Sequence, residues 1–299
     1  APYNATVYHD YYDAIVIPPS TRYDVAAGTS SFFASMNVKF KRSGVGTYVQ
    51  QFQTGDTYVL SSGTSASAAA HSVRLYLDFS TNVRWNAVVY DGVSAAAYTA
   101  RVSDSDLDSN PVDKHRYVEL IVYGNGEGGG GVRLTLNVYN GDTGELIGSN
   151  QALIAGLGGT WSLTTGRWIV GAYPDTNGYP TIAATHEFLM AQVAELRIQT
   201  GTGSTLLPSA GLGTLYAREL KPSEYSATAT KGYWKLNDGD YSRVYDSCDT
   251  AENTYYTGSL VGNHGVHWNI APQWIRSDNT IQIDNGTNSS VTDGTLGVR

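Results

Sequence analysis

The sequence lacks the features of a disulfide scaffold, a membrane protein and a helical bundle. Cysteine occurs once in 299 residues, as Cys248, so no intrachain disulfide can form. No run of 18 apolar residues is present, which excludes a membrane-spanning helix. The first residues also lack a charged n-region followed by an apolar h-region, which predicts that a signal peptide is absent or already removed. No segment has the apolar period of an amphipathic helix.

Charge is scarce as well. Asp, Glu, Lys and Arg make up 15% of the residues, against roughly 25% in an average soluble domain. The formal net charge is −8, and the densest basic cluster is only Lys39, Lys41 and Arg42. Nucleic-acid binding needs clustered basic side chains that displace counterions. The sequence therefore predicts no nucleic-acid partner, and the lack of an apolar span predicts no membrane partner.

Apolar and polar residues alternate in at least eight segments before residue 200. In SVRLYLDF, for example, Val73, Leu75 and Leu77 fall on one face of a strand. Trp85 and Trp168 occupy comparable positions and are expected in the core. The alternation predicts an all-β protein with two antiparallel sheets, because each strand then has one apolar face to bury. The other segments are FFASMNVKF, NVRWNAVVY, YVELIVY, VRLTLNVY, ELIGS, RWIVGAY and MAQVAELRI.

Glycine and small polar residues mark the turns between these segments. The glycine-rich run 124–131 predicts a flexible hairpin tip, and Asn140-Gly141 predicts a tight turn. The serine- and alanine-rich run 61–72 is expected to be a surface loop. One helical turn is expected in ARELKPSEYSA, since Pro222 is acceptable at a first helical position.

The order of several motifs resembles one known group of proteins. The motifs are HRYVELIVYGNG, LTLNVYNGDTGELIGS, WIVGAY, FLMAQVAELRI and LKPSEY, followed by GYWKLNDGDYSRVYDS and GSLVGNHGVHW. Together they resemble the laminin-G-like branch of the concanavalin A-like lectin/glucanase superfamily, with Tyr117 where that family usually has Trp and Glu224 at its Glu position. The resemblance implies a concanavalin A-like antiparallel β-sandwich (jelly roll) over residues 1–220. A β-rich C-terminal extension or arm over 221–299 would pack on that sandwich or on a neighbouring subunit.

Motifs of catalysis are missing. The glucanases of this superfamily carry E-x-D-x-E or E-x-D-x-x-E on one strand, and no glutamate here has that spacing. Glu195 and Arg197 are two residues apart, which predicts an ion pair on a strand surface. Cys248 lies between Asp246 and Asp249, whose charges would raise the thiol pKa rather than activate it. The sequence predicts that the protein is not an enzyme.

Three aspartates at alternate positions suggest calcium. Asp104, Asp106 and Asp108 resemble the start of a calcium loop, but Ser109 and His115 stand where that loop needs Gly and Glu. A looser calcium site built on Asp106 and Asp108 remains an alternative to a solvated acidic loop. No other cofactor is predicted.

Glycan contacts are predicted where tyrosines adjoin Asn or Asp in turn-rich segments. Aromatic rings pack against the C–H faces of sugars, and amides and carboxylates bond to their hydroxyls. Tyrosine and asparagine are also typical of ordinary protein interfaces, and this alternative stays open. The candidate residues are Tyr173, Asp175, Asn177, Tyr179 and Tyr241.

The C-terminal segment keeps a few large apolar residues in a polar, glycine-rich context. They are expected to bury against another surface, which is either the parent sandwich or a neighbouring subunit, because an isolated strand cannot offset its ordering entropy. As assembly contacts, the candidates are Trp268, Trp274, Ile281 and Ile283.

These features together predict a non-enzymatic virion surface protein of a bacterial virus. It would be a capsid decoration or a tail-fibre-type module, with other virion proteins or further copies of itself as partners and host-surface glycans as ligands. The alternative is a secreted or cell-surface lectin or carbohydrate-binding module, and a glycoside hydrolase or lyase is a third class. The expected location is the virion, or the extracellular space under the alternative.

Overall fold

Strands dominate the part of the chain that the structure describes. The computed structural model describes residues 3–5, 14–19, 23, 31–40, 56–64, 72–80, 82–90, 97–109, 111, 114–124, 132–154, 167–181, 186–187, 189, 191–201, 230–236, 243–244, 246–248, 258–261 and 266–268. One short helix, α1 (Ser105–Ser109), lies in these ranges. The strands are β1 (Tyr3–Ala5), β2 (Ala14–Ile17), β3 (Ser31–Phe40), β4 (Asp56–Ser62), β5 (Ser72–Asp78), β6 (Arg84–Tyr90), β7 (Ala97–Ser103), β8 (His115–Tyr123), β9 (Arg133–Asn140), β10 (Leu146–Leu153), β11 (Trp168–Val170), β12 (Tyr173–Pro174), β13 (Pro180–Thr181), β14 (His186–Glu187), β15 (Ala191–Gly201), β16 (Thr230–Trp234), β17 (Arg243–Val244), β18 (Gly258–Val261) and β19 (Val266–Trp268).

Two sheets form a β-sandwich. In the described part of the chain, sheet A has eight strands in the order β10–β9–β8–β3–β15–β1–β19, and β16 also pairs with β15. Sheet B has nine, in the order β17–β18–β2–β11–β4–β5–β6–β7. Its ninth strand, β14, pairs in parallel with β4, whereas the other pairings are antiparallel. The predicted antiparallel sandwich is confirmed.

The core lies between the sheets and follows the two-residue period of the strands. Val73, Leu75 and Leu77 of β5 are buried in it, as their alternation predicts. The rings of Phe32 from sheet A and Trp168 from sheet B stack with centroids 5.6 Å apart. Contacts of this kind between two inner faces hold the layers together, because each face buries apolar area that would otherwise meet water.

The turns agree with the sequence in one hairpin and in part of another. Between β9 and β10, the Gly144 N–H donates to the Asn140 carbonyl over 2.7 Å, and the Asn140 side chain accepts from the Asp142 N–H over 2.9 Å. The glycine-rich run joins β8 to β9, which pair from Tyr123 and Arg133 onward as a hairpin should. Residues 125–131, the predicted tip, lie outside the described residues.

Two local predictions were wrong in part or in whole. The serine- and alanine-rich run 61–72 is not loop at its ends, since Ser61 and Ser62 belong to β4 and Ser72 begins β5. Residues 65–71 of that run lie outside the described residues. Ser61 can be buried at little cost, because its hydroxyl donates to the Ala172 carbonyl over 2.8 Å. This hydrogen bond replaces the bonds that the hydroxyl would make to water. The acidic segment expected as a loop contains helix α1. The helical turn predicted around Pro222 lies outside the described residues.

Strands from the C-terminal part of the chain join both sheets. β16 pairs with β15, β19 pairs with β1, and β18 pairs with β2. Trp268 is the register partner of Tyr3. The boundary between residues 220 and 221 stays a prediction, and Trp274, Ile281 and Ile283 lie outside the described residues. In the ranges given above, no helix has the length and apolar character needed to span a membrane.

Candidate functional site

Four tyrosines gather on the outer side of sheet B. On β4 and β5, Tyr58 and Tyr76 are register partners, and their rings stack with centroids 5.0 Å apart. Tyr90 belongs to the outer side of β6, and Tyr173 lies over β4 with its ring centroid 4.8 Å from that of Tyr58. We call Tyr58, Tyr76, Tyr90 and Tyr173 the tyrosine face. Its rings come from four strands, which is why no single segment reveals it.

Arg74 contacts two rings of the tyrosine face. Its guanidinium carbon lies 4.7 Å from the ring centroid of Tyr90 and 4.6 Å from that of Tyr173. Arg74 also donates to the Tyr173 hydroxyl over 3.1 Å and to the Thr64 carbonyl over 3.1 Å. A cation over an aromatic ring is stabilised by the negative ring face, and more strongly when it is withdrawn from water. Arg74 is 4% exposed, so its contacts with the two rings are shielded from water.

A short hairpin carries Tyr173 to this position. β12 and β13 pair with Tyr173 opposite Thr181. The chain enters the hairpin through Gly171, whose φ of 91° suits glycine and few other residues. The Gly171 N–H donates to the Val59 carbonyl over 3.1 Å, which ties the entry of the hairpin to β4. The ring of Tyr173 is therefore positioned by backbone bonds as well as by Arg74.

The tip of the hairpin holds three of the predicted glycan residues. The Asp175 carboxylate accepts from the N–H groups of Asn177 and Tyr179 over 2.7 and 2.8 Å. One of its two oxygens therefore stabilises the backbone of the turn. Arg167 donates to the Asn177 carbonyl and to the Tyr179 hydroxyl, and its guanidinium lies 4.0 Å from the Tyr179 ring centroid. Tyr179 is 50% exposed. The tip thus presents a tyrosine ring whose orientation is set by a cation.

A pair of carboxylates lies next to the tyrosine face. Asp56 and Asp78 are register partners on β4 and β5, two residues along the strands from Tyr58 and Tyr76 and therefore on the same side of the sheet. Burial and, to a smaller extent, the neighbouring charge of Asp78 together raise the pKa of Asp56 to about 6. Burial likewise raises the pKa of Tyr76 to about 12. One end of the face is therefore acidic, while Arg74 supplies its positive charge.

The structure brings some predicted residues together and adds others. Tyr173 joins the tyrosine face, and Asp175, Asn177 and Tyr179 lie on the same hairpin. Tyr241 lies outside the described residues. Sequence reasoning missed Tyr58, Tyr76, Tyr90, Arg74 and Asp56. One sequence signal could have found them: polar and aromatic residues occupy outward positions on the three consecutive strands β4, β5 and β6.

The aspartates of the predicted calcium site have protein partners. Asp104 forms a buried bidentate ion pair with Arg116, over 2.7 and 2.9 Å, and accepts from the indole of Trp85. Asp106 lies 3.4 Å from the same guanidinium, and Asp108 accepts from the Val83 N–H. Within the described ranges no three His, Cys, Asp or Glu side chains group as metal ligands would. The calcium site stays a prediction.

A second polar cluster lies on the outer side of sheet A. Register partners on six neighbouring strands form one row, which we call the polar row. Glu119 and Arg197 flank Ser35 in this row. Burial raises the pKa of Glu119 to about 7, although hydrogen bonds from Asn137, Tyr117 and Tyr139 and the charge of Arg197 oppose the rise. The members of the polar row are Ser149, Asn137, Glu119, Ser35, Arg197 and Tyr233.

The predicted surface ion pair between Glu195 and Arg197 was wrong. Glu195 is 5% and Arg197 1% exposed, so neither lies on a surface. A register shift of β15 between Ala194 and Arg197 separates the two side chains, and Glu195 adopts a φ of 57°. Glu195 instead accepts from the Tyr233 hydroxyl, while Arg197 donates to the Tyr117 hydroxyl over 3.2 Å.

Comparisons with known proteins give matches to solved structures alone: no family model and no curated protein matches this chain. Domains LG4-5 of the mouse laminin alpha1 chain are 13% identical, with 63% of this chain and 42% of that chain covered and a TM-score of 0.38. The CBM40 of the Ruminococcus gnavus IT-sialidase bound to alpha2,3 sialyllactose is 13% identical, with 64% and 84% covered and a TM-score of 0.37. The enzymatically active domain of tailspike protein 2 from bacteriophage CBA120 is 10% identical, with 77% and 34% covered and a TM-score of 0.45. This chain thus spans less than half the length of the laminin and tailspike chains.

Proposed function

We propose that the protein binds glycans through the tyrosine face. The observation that carries the proposal is the cluster of four tyrosine rings on the outer side of sheet B, two of which, Tyr90 and Tyr173, pack against the Arg74 guanidinium. Tyr76, Tyr90 and Tyr173 are each partly exposed, so part of each ring is open to a ligand. Sugars offer apolar C–H faces for such rings and hydroxyl groups for nearby charged side chains.

The charges around the face fit a sugar better than an acidic ligand. Asp56 and Asp78 lie at one end, where they can accept hydrogen bonds. Arg74, in contrast, is 4% exposed, and its guanidinium already donates to Tyr173 and Thr64. The two carboxylates would repel a strongly acidic ligand. A ligand that carries neutral hydroxyl groups can donate to the carboxylates while its C–H faces pack against the rings.

The proposed activity is binding without cleavage. Glycosidases use two carboxylates on either side of the scissile bond, and Asp56 and Asp78 are a pair of carboxylates next to the tyrosine face. The E-x-D-x-E spacing of the glucanases is missing from the sequence. Chromatography of a bound oligosaccharide after long incubation tests this point. Shorter products that disappear in Asp56→Asn would overturn it.

Glycan arrays followed by calorimetry on the bound oligosaccharides test the binding itself. Tyr76→Ala is expected to weaken binding by about tenfold, since one stacking ring is lost. Tyr123→Ala is the matched control, because Tyr123 is a partly exposed strand tyrosine of sheet A. Both variants should be compared at equal folded fraction. Equal affinity for Tyr76→Ala and the control would refute the tyrosine face as the site.

We also propose that the protein acts on the surface of a bacterial virus, as a capsid decoration or tail-fibre-type module. The support comes from the sequence, which has a single cysteine and no glucanase motif. A secreted or cell-surface lectin is the alternative. Quantitative mass spectrometry of the purified native source separates them: a fixed ratio to a capsid or tail protein supports the virion. A free monomer in the culture medium favours the lectin.

A further inference from the structure

The structure points to a contact between two copies of this chain along strand β10. β10 is an edge strand of sheet A and, among the described strands, pairs only with β9. Ser149, Asn150 and Gln151 at its centre are all exposed. We propose that β10 pairs antiparallel with β10 of a second copy, about a two-fold axis at Asn150, so that sheet A continues from one copy into the other.

The chemistry of β10 is that of an unprotected sheet edge. Its sequence is LIGSNQAL, with no charged residue and no proline. Natural proteins usually place lysine, proline or another charge on exposed edge strands to prevent such pairing. An axis at Asn150 would set each residue of β10 opposite another uncharged residue of the same strand, so the contact would bury no charge. The absence of charge therefore removes the usual obstacle to pairing between two copies of this edge.

The backbone groups of β10 that face away from β9 match such an axis. The Ile154 N–H donates to the Val132 carbonyl over 2.8 Å, just beyond the pair Leu153 and Arg133. Hydrogen-bonded and non-hydrogen-bonded pairs alternate along an antiparallel ladder. The N–H and C=O groups of Ser149 and Gln151 therefore point away from β9. An axis at Asn150 sets Ser149 opposite Gln151 of the second copy, so these outward groups bond to each other.

Two exposed leucines favour the same register. Leu146 is 50% and Leu153 58% exposed, and they are two of the three large apolar side chains exposed among the described residues. The register shift between Leu146 and Gly148 sets Leu146 opposite Tyr139, and Leu153 lies opposite Arg133. Both leucines consequently lie on the outer face of sheet A. The axis at Asn150 then sets Leu146 beside Leu153 of the second copy, and both lose contact with water.

Disulfide trapping in the full chain tests the register. Cys248 is the only cysteine, so Cys248→Ser gives a background without thiols. Asn150→Cys on that background is expected to form a cross-linked dimer readily under mild oxidation, because the two Cα atoms on the axis would lie at a distance suited to a disulfide. Ser149→Cys and Gln151→Cys are matched controls and should cross-link at least about tenfold more slowly, since each would face a different residue. Faster linkage through either control overturns the proposed register.

Sedimentation measures the association without a cross-link. Leu153→Lys is expected to raise the dimer dissociation constant at least about tenfold, because it places a charge in the contact and removes apolar area. Tyr179→Lys removes the third exposed large apolar side chain, away from β10, and should leave the constant unchanged. A wild-type chain that sediments as a monomer at high concentration, with no cross-link through Asn150→Cys, would overturn the proposal. So would equal effects of the two lysine variants.

Discussion

Arg74 and Tyr173 are 99 residues apart in the sequence, yet the Arg74 guanidinium donates to the Tyr173 hydroxyl over 3.1 Å. The same guanidinium lies 4.6 Å from the centre of the Tyr173 ring. The hairpin that carries Tyr173 and the strand that carries Arg74 are thereby held at one position on the outer side of sheet B. Together with the backbone bonds of the hairpin, this contact orients the ring on which the proposed glycan site depends.

Tyr173→Phe is expected to lower the free energy of unfolding by roughly 1–2 kcal/mol, because buried Arg74 loses a hydrogen-bond acceptor while the ring remains. Thermal or urea denaturation measures the change. Tyr179→Phe is the matched control, since its hydroxyl also accepts from an arginine, Arg167, but at an exposed position. That variant should change stability by less than about 0.5 kcal/mol. Equal losses would contradict a special role of the Arg74 contact.

Glu119 should make the protein less stable as the pH rises. Its pKa is about 7 in the folded protein and near the ordinary 4.5 when unfolded. The folded state therefore holds the proton more tightly, and stability falls as the pH rises from about 4.5 to about 7. Glu119→Gln should match the wild type near pH 4 and exceed its stability by on the order of 3 kcal/mol at pH 8.

Denaturation curves at several pH values check this prediction. Glu145→Gln is the control, because Glu145 is exposed in the turn before β10, and its pH dependence should follow that of the wild type. A Glu119→Gln variant that keeps the full pH dependence would show that another group is responsible.

Asp78→Asn should lower the pKa of Asp56 from about 6 without restoring its ordinary value of 3.8. Burial is the larger cause of the rise and remains in the variant, whereas the charge of Asp78 is removed. Carbon-detected NMR titration of the Asp56 carboxyl measures the shift. Ser103→Ala is the control, since Ser103 lies in the same cross-strand row without a charge. A value that stays at about 6 in both variants would contradict an interaction between the two carboxylates.

Asp104→Asn should destabilise the protein by about 3–5 kcal/mol, because it leaves the buried Arg116 guanidinium without its bidentate partner. Denaturant titration is the measurement. Asp106→Asn is the control: Asp106 contacts the same guanidinium, but its side chain is 59% exposed, so the loss should stay below about 1 kcal/mol. A loss below about 1 kcal/mol in Asp104→Asn as well would show that the buried pair contributes little.

Strands were the most predictable part of the fold. The alternation in SVRLYLDF and VRLTLNVY depends on which residues are apolar, and β5 and β9 follow it closely. Strand β4 was not predicted, because the polar residue Thr57 takes an inward position and a register shift between Tyr58 and Leu60 interrupts the two-residue period. The ion pair predicted between Glu195 and Arg197 failed because a register shift within β15 turns the two side chains to different partners.

The sequence by itself determined the class of protein: a chain of alternating strands with one cysteine, little charge and no apolar span forms an antiparallel sandwich. It also pointed to Tyr173 and Tyr179, because a turn rich in Asn and Asp exposes its tyrosines. Only the tertiary structure decided what surrounds them. Tyr58, Tyr76 and Arg74 reach Tyr173 through pairing between strands distant in the chain, and such pairing depends on register, which the local residue pattern does not specify.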